Sequence, residues 1–349
     1  MRLALVTDAW EPQINGVVRT LRHTIAELEA AGVSVVRISP ERFSTVPCPS
    51  YPTIRLALFQ DAKVAKALDA AKPDAVHIAT EGPLGFAARS WCIRRRLKFT
   101  TSYHTNFPDY LRARWPVPRS VTYAYLRWFH RPATRVMVAT PAIRGLLASQ
   151  GFKRLKLWSR GVDTELFRPL AARRSQGVPI FVYLGRVAVE KNVEAFLSLD
   201  LPGRMVVIGD GPALEPLQRR FSAVQFTGHL EGSALVEQLG RADVMVFPSL
   251  TDTFGLVLLE AMACAVPVAA FPVPGPVDVV VDGITGALDQ DLRSAAMRAL
   301  SLDRDQCRRH AETRSWSGAT REFLSNLTPA RRAAARRFRG LKNAEYFAR

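Results

Sequence analysis

Short apolar runs alternate with helix-patterned segments along most of this chain, and that alternation narrows the fold more than any other feature. Residues 3–7 read as a buried strand, 8–16 as a loop, about 17–31 as a helix closed by Gly32, and 33–38 as a second strand. Strands joined by such a helical crossover are parallel, and the crossover is right-handed. The pattern repeats as a helix near 61–71, a strand at 75–78, a helix near 85–95, strands at 99–102 and 136–139, and a helix at 141–150. A second series starts at Pro179, with strands at 180–184, 205–208, 224–227, 244–247 and 266–271 and helices near 193–199, 214–221 and 233–240. Residues 161–177, rich in Arg, Pro and Gly, separate the two series.

At 349 residues the chain is too long for one ordinary core. The expected architecture is α/β, with two doubly wound, Rossmann-like parallel-sheet domains facing a cleft. Boundaries are expected at 1–165, a linker at 166–178, a second domain at 179–328 and a basic tail at 329–349. The tail suits a helix packing back on the first domain, a membrane contact or a disordered end. No apolar stretch approaches the roughly 18 residues that span a bilayer. The N-terminus turns acidic at Asp8, too soon for a signal peptide, so a cytoplasmic location is expected. Cys48, Cys92, Cys264 and Cys307 are scattered, which argues against a disulfide framework or a zinc site.

The formal net charge of +17 calls for an acidic partner. One basic cluster is Arg89, Arg94, Arg95, Arg96 and Lys98, and another is the tail. Between them Arg112, Arg114, Arg119, Arg127, Arg131 and Arg135 are interleaved with Trp115, Tyr123, Tyr125, Trp128 and Phe129. That mixture suits an anionic membrane surface. It also fits a solvated face with its aromatics in the core, or stacking on nucleic acid. No nucleic-acid reading motif accompanies it, so nucleic acid is not an expected partner.

Chemistry-bearing residues gather where strands end. Asp252 and Glu260 flank Phe254-Gly255 and an apolar run, which reads as a loop feeding a buried helix. A helix start offers free N–H groups and partial positive charge to a phosphate, and carboxylates suit sugar hydroxyls. Arg186 and Lys191, in Gly185-Arg186 and Glu190-Lys191-Asn192, suit a diphosphate or a solvated charged loop. Gly209-Asp210-Gly211-Pro212 reads as a tight turn. His229, beside Leu230, sits over a base or caps a turn. Asn15-Gly16 precedes the first long helix, where a glycine lets phosphate approach. His104 follows a strand and is either structural or a hydrogen-bond partner of a substrate. Taken in order, the second-half loops suggest a nucleotide-diphosphate-sugar site. A glycosidase using Asp252 and Glu260 is the competing chemistry, and it needs a carboxylate separation that the sequence does not secure.

Over nearly its whole length the chain resembles the retaining glycosyltransferases of family 4, which have the GT-B fold. The family's E-x7-E appears as Asp252…Glu260, with Asp for the usual Glu at the first position. The Gly-Arg and Glu-Lys pair, the Gly209–Pro212 turn and Thr227-Gly-His-Leu230 also match. In the first half, 11–20, 76–83, 102–105 and 157–163 look like the branch that glycosylates diacylglycerol. The resemblance implies a nucleotide-sugar donor, a UDP-sugar, and no metal or other cofactor. It implies that Arg186 and Lys191 hold the diphosphate, Glu260 the ribose and Asp252 the sugar. The backbone at Thr253, Phe254, Gly255 and Leu256 would contact sugar and phosphate. Gly209, Asp210, Gly211, His229 and Leu230 would complete the donor site. Gly16 would keep a first-domain loop open and His104 would meet the sugar. The first domain would face the acceptor, diacylglycerol or another lipid, with Arg94, Arg95, Arg96, Trp115 and Trp128 as the membrane or acceptor contacts. Asp252, one methylene short, is expected to bear on donor choice. A peripheral place on the cytoplasmic membrane face follows.

Overall fold

The computed structural model describes residues 1–13, 15–48, 51–112, 117–171 and 177–331, with 51–53 by backbone alone. The described chain forms two compact units, one of 1–108, 117–159 and 316–331, the other of 109–112 and 160–315. Trp115, Arg114 and the tail beyond Arg331 lie outside the described residues, so the expectations placed on them have no structural counterpart.

In the first unit, β1 (Arg2–Val6), β2 (Ser34–Ile38), β5 (Ala75–Ile78), β6 (Thr100–Tyr103), β7 (Arg135–Val138) and β8 (Leu155–Leu157) form a sheet in the order β2-β1-β5-β6-β7-β8. Every pairing in it is parallel. A separate antiparallel hairpin joins β3 (Val46–Cys48) to β4 (Tyr51–Leu56). Strands β1, β5 and β6 are almost wholly buried, as expected for a sheet covered by helices on both faces.

The second unit repeats the plan. Strands β9 (Ile180–Leu184), β10 (Arg204–Ile208), β11 (Gln225–Gly228), β12 (Val244–Phe247), β13 (Val268–Ala270) and β14 (Gly286–Leu288) stand in the order β11-β10-β9-β12-β13-β14, all parallel. The chain builds outward from β9 on one side and then from β12 on the other. The strand order therefore reverses between β9 and β12, as it does between β1 and β5 in the first unit. Open α/β sheets bind ligands at the strand carboxyl ends beside such a reversal.

One expected boundary moves. The helix Trp316–Asn326, placed with the second domain by the sequence reading, packs on the helix Gly16–Ala30 and on β7. Phe323, Leu324 and Leu327 join Leu3, Leu5, Met137 and Trp158 in the first unit's core. Asn326 Nδ2 donates to the Leu157 carbonyl at 2.6 Å, and the Ser159 amide donates to Glu322 Oε2 at 2.8 Å. The apolar stripe of that helix is what decides its side.

Candidate active site

Strands β9 to β12 run one way, so the loops leaving their carboxyl ends share an edge. Leu184 stands opposite Ile208, and Ile208 opposite Gly228. The loops are knitted by backbone bonds: Gly185 N to Ile208 O at 3.0 Å, Val187 N to Asp210 O at 2.9 Å, and Gly209 N to Gly228 O at 2.8 Å. A Cβ on Gly209 would fall 1.9 Å from the Gly185 carbonyl oxygen, and one on Gly211 2.3 Å from that of Val187. Both glycines also have positive φ, +142° and +156°. The turn Gly209–Pro212 therefore has a packing reason for its glycines.

The loop after β9 is held from beneath. Tyr183 is buried, and its hydroxyl donates to the Arg186 carbonyl at 2.7 Å. Burial, aided by the negative charges of Asp252 and Glu190, holds that phenol well above its usual range, so it stays a donor. Past Arg186, a short 3-10 turn, Val189–Lys191, ends at Asn192 in the left-handed region. Asn192 Nδ2 donates to the Pro248 carbonyl at 3.1 Å, and Thr251 Oγ1 to that of Glu190 at 3.3 Å. These bonds bring the β9 and β12 loops together. Lys191 Nζ then meets Asp252 Oδ1 at 2.5 Å, so two residues from separate sequence motifs form one ion pair. Asp252 Oδ2 is buried and has no hydrogen-bond partner among the described residues.

Beyond Asp252, the buried Thr253 and Phe254 lead to Gly255, whose φ is +84°. The helix Leu256–Ala263 starts there with no side-chain cap. Leu258 through Ala263 are buried, Glu260 among them at 4% exposure, as the apolar run predicts. Gly275, which the sequence reading passed over, backs this loop: a Cβ there would lie 2.9 Å from the Asp252 carbonyl oxygen. Leu230 is half-buried. His229 is exposed, with its Nε2 2.9 Å from Glu231 Oε1. Among the described residues no group of three or more His, Cys, Asp or Glu side chains is placed to hold a metal ion.

The first unit's edge differs. Gly16 opens its helix, and Asn15 Oδ1 accepts from the amides of Val17 and Val18, both at 3.0 Å. Two of the amide donors expected to be free beside Gly16, those of Val17 and Val18, are thus engaged by the preceding asparagine. Asp8, a loop residue in the sequence, is half-buried beneath the start of the helix Pro83–Arg94. Its carboxylate accepts from Leu84 N at 2.8 Å, Gly85 N at 3.2 Å and Thr80 Oγ1 at 2.7 Å. A Cβ on Gly82 would sit 2.5 Å from Asp8 Cγ. Burial raises the Asp8 pKa to about 6 in spite of these bonds. His104 is half-buried, 2.9 Å from Ser102 Oγ and edge-on to Trp158. Buried His130 lies 3.1 Å from Glu81 Oε1.

The basic and aromatic clusters separate by role. On the helix Arg119–His130, Tyr123 and Phe129 are core, while Val121, Tyr125 and Trp128 are exposed beside Arg119, Arg127 and Arg131. Trp128 stacks on exposed Phe86 at 6.0 Å, above the buried Arg89, whose guanidinium lies 4.0 Å from the indole centroid. Arg89 also donates to the Trp128 and Phe129 carbonyls, which serves the end of that helix. Arg94, Arg95 and Arg96 are exposed at the far end of the helix Pro83–Arg94, about 18 Å from its start. Arg95 pairs with Asp69 at 2.6 Å. No helix among the described residues is long and apolar enough to cross a membrane.

The chain is similar to known proteins. A family model described as Glycosyltransferase Family 4 matches residues 14–166, and one described as Glycosyl transferases group 1 matches 178–303. The sulfoquinovosyl transferase of Arabidopsis thaliana is 30% identical, over 88% of this chain and 69% of its own. A GDP-mannose-dependent alpha-mannosyltransferase of Mycobacterium tuberculosis is 29% identical, over 82% and 83%. The alpha-monoglucosyldiacylglycerol synthase of Streptococcus pneumoniae is 29% identical, over 86% and 78%. In structure, sucrose-phosphate synthase from Thermosynechococcus elongatus superposes with a TM-score of 0.74 at 22% identity, covering 93% of this chain and 97% of that one. With its two parallel-sheet units in the GT-B plan, the chain is a glycosyltransferase and belongs to glycosyltransferase family 4.

Proposed function

We propose that this enzyme moves a hexosyl or hexuronosyl unit, glucose or glucuronic acid, from a UDP-sugar to diacylglycerol at an anionic membrane surface, with retention. The observation that carries the reading is the Lys191–Asp252 pair at the strand-order reversal of the second sheet, together with the buried Asp252 Oδ2. A buried carboxylate oxygen without a donor is costly, and a sugar hydroxyl is a group that satisfies it. A diphosphate gives Arg186 and Lys191 an anionic partner and turns Asp252 toward the sugar. The uncapped helix start at Leu256 adds amide donors for phosphate, and Glu260 takes the ribose hydroxyls.

In transfer, the bond from the anomeric carbon to the phosphate oxygen breaks. The acceptor hydroxyl bonds to the same face, and its proton passes to the departing phosphate. Arg186 and Lys191 neutralise the leaving charge, so the step needs no metal. For the lipid, exposed Phe86, Val121, Tyr125 and Trp128 beside Arg119, Arg127 and Arg131 suit an interface in which rings enter the headgroup level and guanidinia meet anionic lipid. The cytoplasmic membrane face is the corresponding location, with Arg94, Arg95 and Arg96 as a further basic contact. Two of the three relatives above are sulfoquinovosyl and monoglucosyldiacylglycerol enzymes by name.

A second reading, a GDP-mannose donor, is favoured by the mannosyltransferase relative, which is matched over 83% of its length. The test uses the full chain with diacylglycerol liposomes and UDP-glucose, UDP-glucuronate or GDP-mannose, and reads lipid products by mass. A hexosyl or hexuronosyl lipid from a UDP-sugar is expected. A mannolipid alone supports the second reading, and no glycolipid from any donor defeats the lipid acceptor.

A further inference from the structure

From residue 110 to residue 162 the chain carries eleven Lys and Arg and no Asp or Glu. Residues 117–159 of that stretch lie in the first unit, on the β7–β8 side of its sheet. There the helix Arg119–His130 and the helix Pro141–Ser149 share an apolar cluster, in which Tyr123 and Leu126 join Ile143, Leu147 and Phe152. Arg127, Arg131, Arg144, Lys153, Arg154 and Lys156 are exposed around it. A stretch of one sign, with no carboxylate of its own, presents a positive field to a partner.

Beside this charge runs an apolar stripe. Val121, Tyr125 and Trp128 stand at i, i+4 and i+7 of the helix Arg119–His130, within about 60° around its axis. All three are exposed, while Thr122, Leu126 and Phe129 take the core side. Trp128 is 45% exposed, yet three side chains hold its ring. The Arg89 guanidinium lies 4.0 Å from the indole centroid, the Tyr125 ring 5.9 Å and the Phe86 ring 6.0 Å. Phe86 stands three residues before Arg89 on the helix Pro83–Arg94, so both reach the indole from one helix face. Arg89 is itself fixed, since Nε donates to the Phe129 carbonyl at 2.9 Å and Nη2 to that of Trp128 at 3.0 Å. Among the described residues it pairs with no carboxylate, and its charge faces two carbonyls and the indole. A lysine has no planar fork to make both bonds while stacking.

We propose that Phe86 and Trp128 are the point where this face enters an anionic bilayer, with Arg89 the positioning residue that holds the indole outward before lipid arrives. The proposal deepens the membrane reading above and rests on it. Charge complementarity selects the occupant: the basic side chains meet lipid phosphate, and the indole and phenyl rings enter at the headgroup level. The indole is ordered in advance, so insertion gains apolar burial without the entropy of fixing its rotamer.

The full chain is sedimented with phosphatidylcholine vesicles, with and without phosphatidylglycerol. Trp128 emission is taken as the difference between wild type and Trp128→Phe, with brominated acyl chains as the quencher. Salt-sensitive pelleting with phosphatidylglycerol vesicles and a quenched Trp128 are expected. Trp128→Ala and Phe86→Ala should each weaken vesicle affinity about tenfold, and Arg89→Lys about threefold. Because Arg89 acts through the indole, Arg89→Lys should add nothing in the Trp128→Ala background. No pelleting at low salt overturns the membrane reading and this proposal together. Pelleting with Trp128 unquenched, or with affinity unmoved in Trp128→Ala, overturns the insertion point alone. An equal Arg89→Lys effect in both backgrounds overturns the positioning role. So does a Trp128 ring that turns freely by time-resolved anisotropy in the lipid-free wild type, a readout that stands if Arg89→Lys does not fold. A wild-type dimer that Trp128→Ala makes monomeric gives the face to a second copy and overturns the proposal.

Discussion

The two sheets follow the same winding plan, yet their helix starts are finished differently. In the first unit, Asn15 closes the helix after β1, Asp8 closes the helix after β5, and Thr140 closes the helix after β7. In the second, the helices that follow β9, β10, β11 and β12 all begin without a cap from the preceding side chain. Orphan amides at a helix start need an acceptor from somewhere. At those three first-unit helices a side chain supplies the acceptor. The four second-unit helices have no such acceptor, at the edge where Arg186 and Lys191 stand, which suits an anionic ligand.

The contrast is breakable. Lys191→Ala is expected to lower kcat by about a thousandfold while Tm falls little, because its work lies in charge neutralisation. A near-wild-type rate would remove the second edge from the chemistry. Gly209→Ala, which forces a Cβ to within 1.9 Å of the Gly185 oxygen, should destabilise the second unit by about 3 kcal/mol, read by denaturant unfolding. Asp252→Glu pushes the carboxylate one methylene toward Lys191. It should shift the relative rates with UDP-glucose, UDP-glucuronate and GDP-mannose about tenfold, and unchanged ratios would falsify a role in donor choice.

The first edge gives smaller, structural effects. Asp8 has a folded-state pKa of about 6, raised from 3.8. The folded state therefore holds the proton longer than the unfolded one, and stability should decline as pH rises between these values. Asp8→Asn should flatten that slope in Tm against pH. Asn15→Ala should cost about 1 kcal/mol of stability. A tighter donor KM in that variant would show that the amides of Val17 and Val18 can serve a ligand after all.

Much of the fold was legible because buried parallel strands leave an unmistakable trace. The runs at 75–78, 180–184 and 244–247 coincide with β5, β9 and β12. The hairpin β3–β4 was not, since Pro47 and Pro52 blur its alternation. The helix Arg119–His130 read as a basic and aromatic mixture, because charge density hid a periodic stripe of Thr122, Tyr123, Leu126 and Phe129. At the candidate site, residue types were visible but pairings were not. Lys191 and Asp252 are 61 residues apart, and only the β9–β12 adjacency joins them. Tyr183 and Asp8 gave no signal, since a strand tyrosine and a loop aspartate look ordinary until burial and partners are known.

The return of the helix Trp316–Asn326 to the first unit has a consequence for synthesis. Ribosomes release the chain in order, so the first unit waits for Phe323 and Leu324 while residues 160–315 emerge, roughly 8 to 30 s at ordinary elongation rates. During that interval the apolar face formed by Leu3, Leu5 and Trp158 lacks its cover. The half of the protein made first is thus the half finished last, and a nascent chain stalled before Trp316 should be a chaperone client.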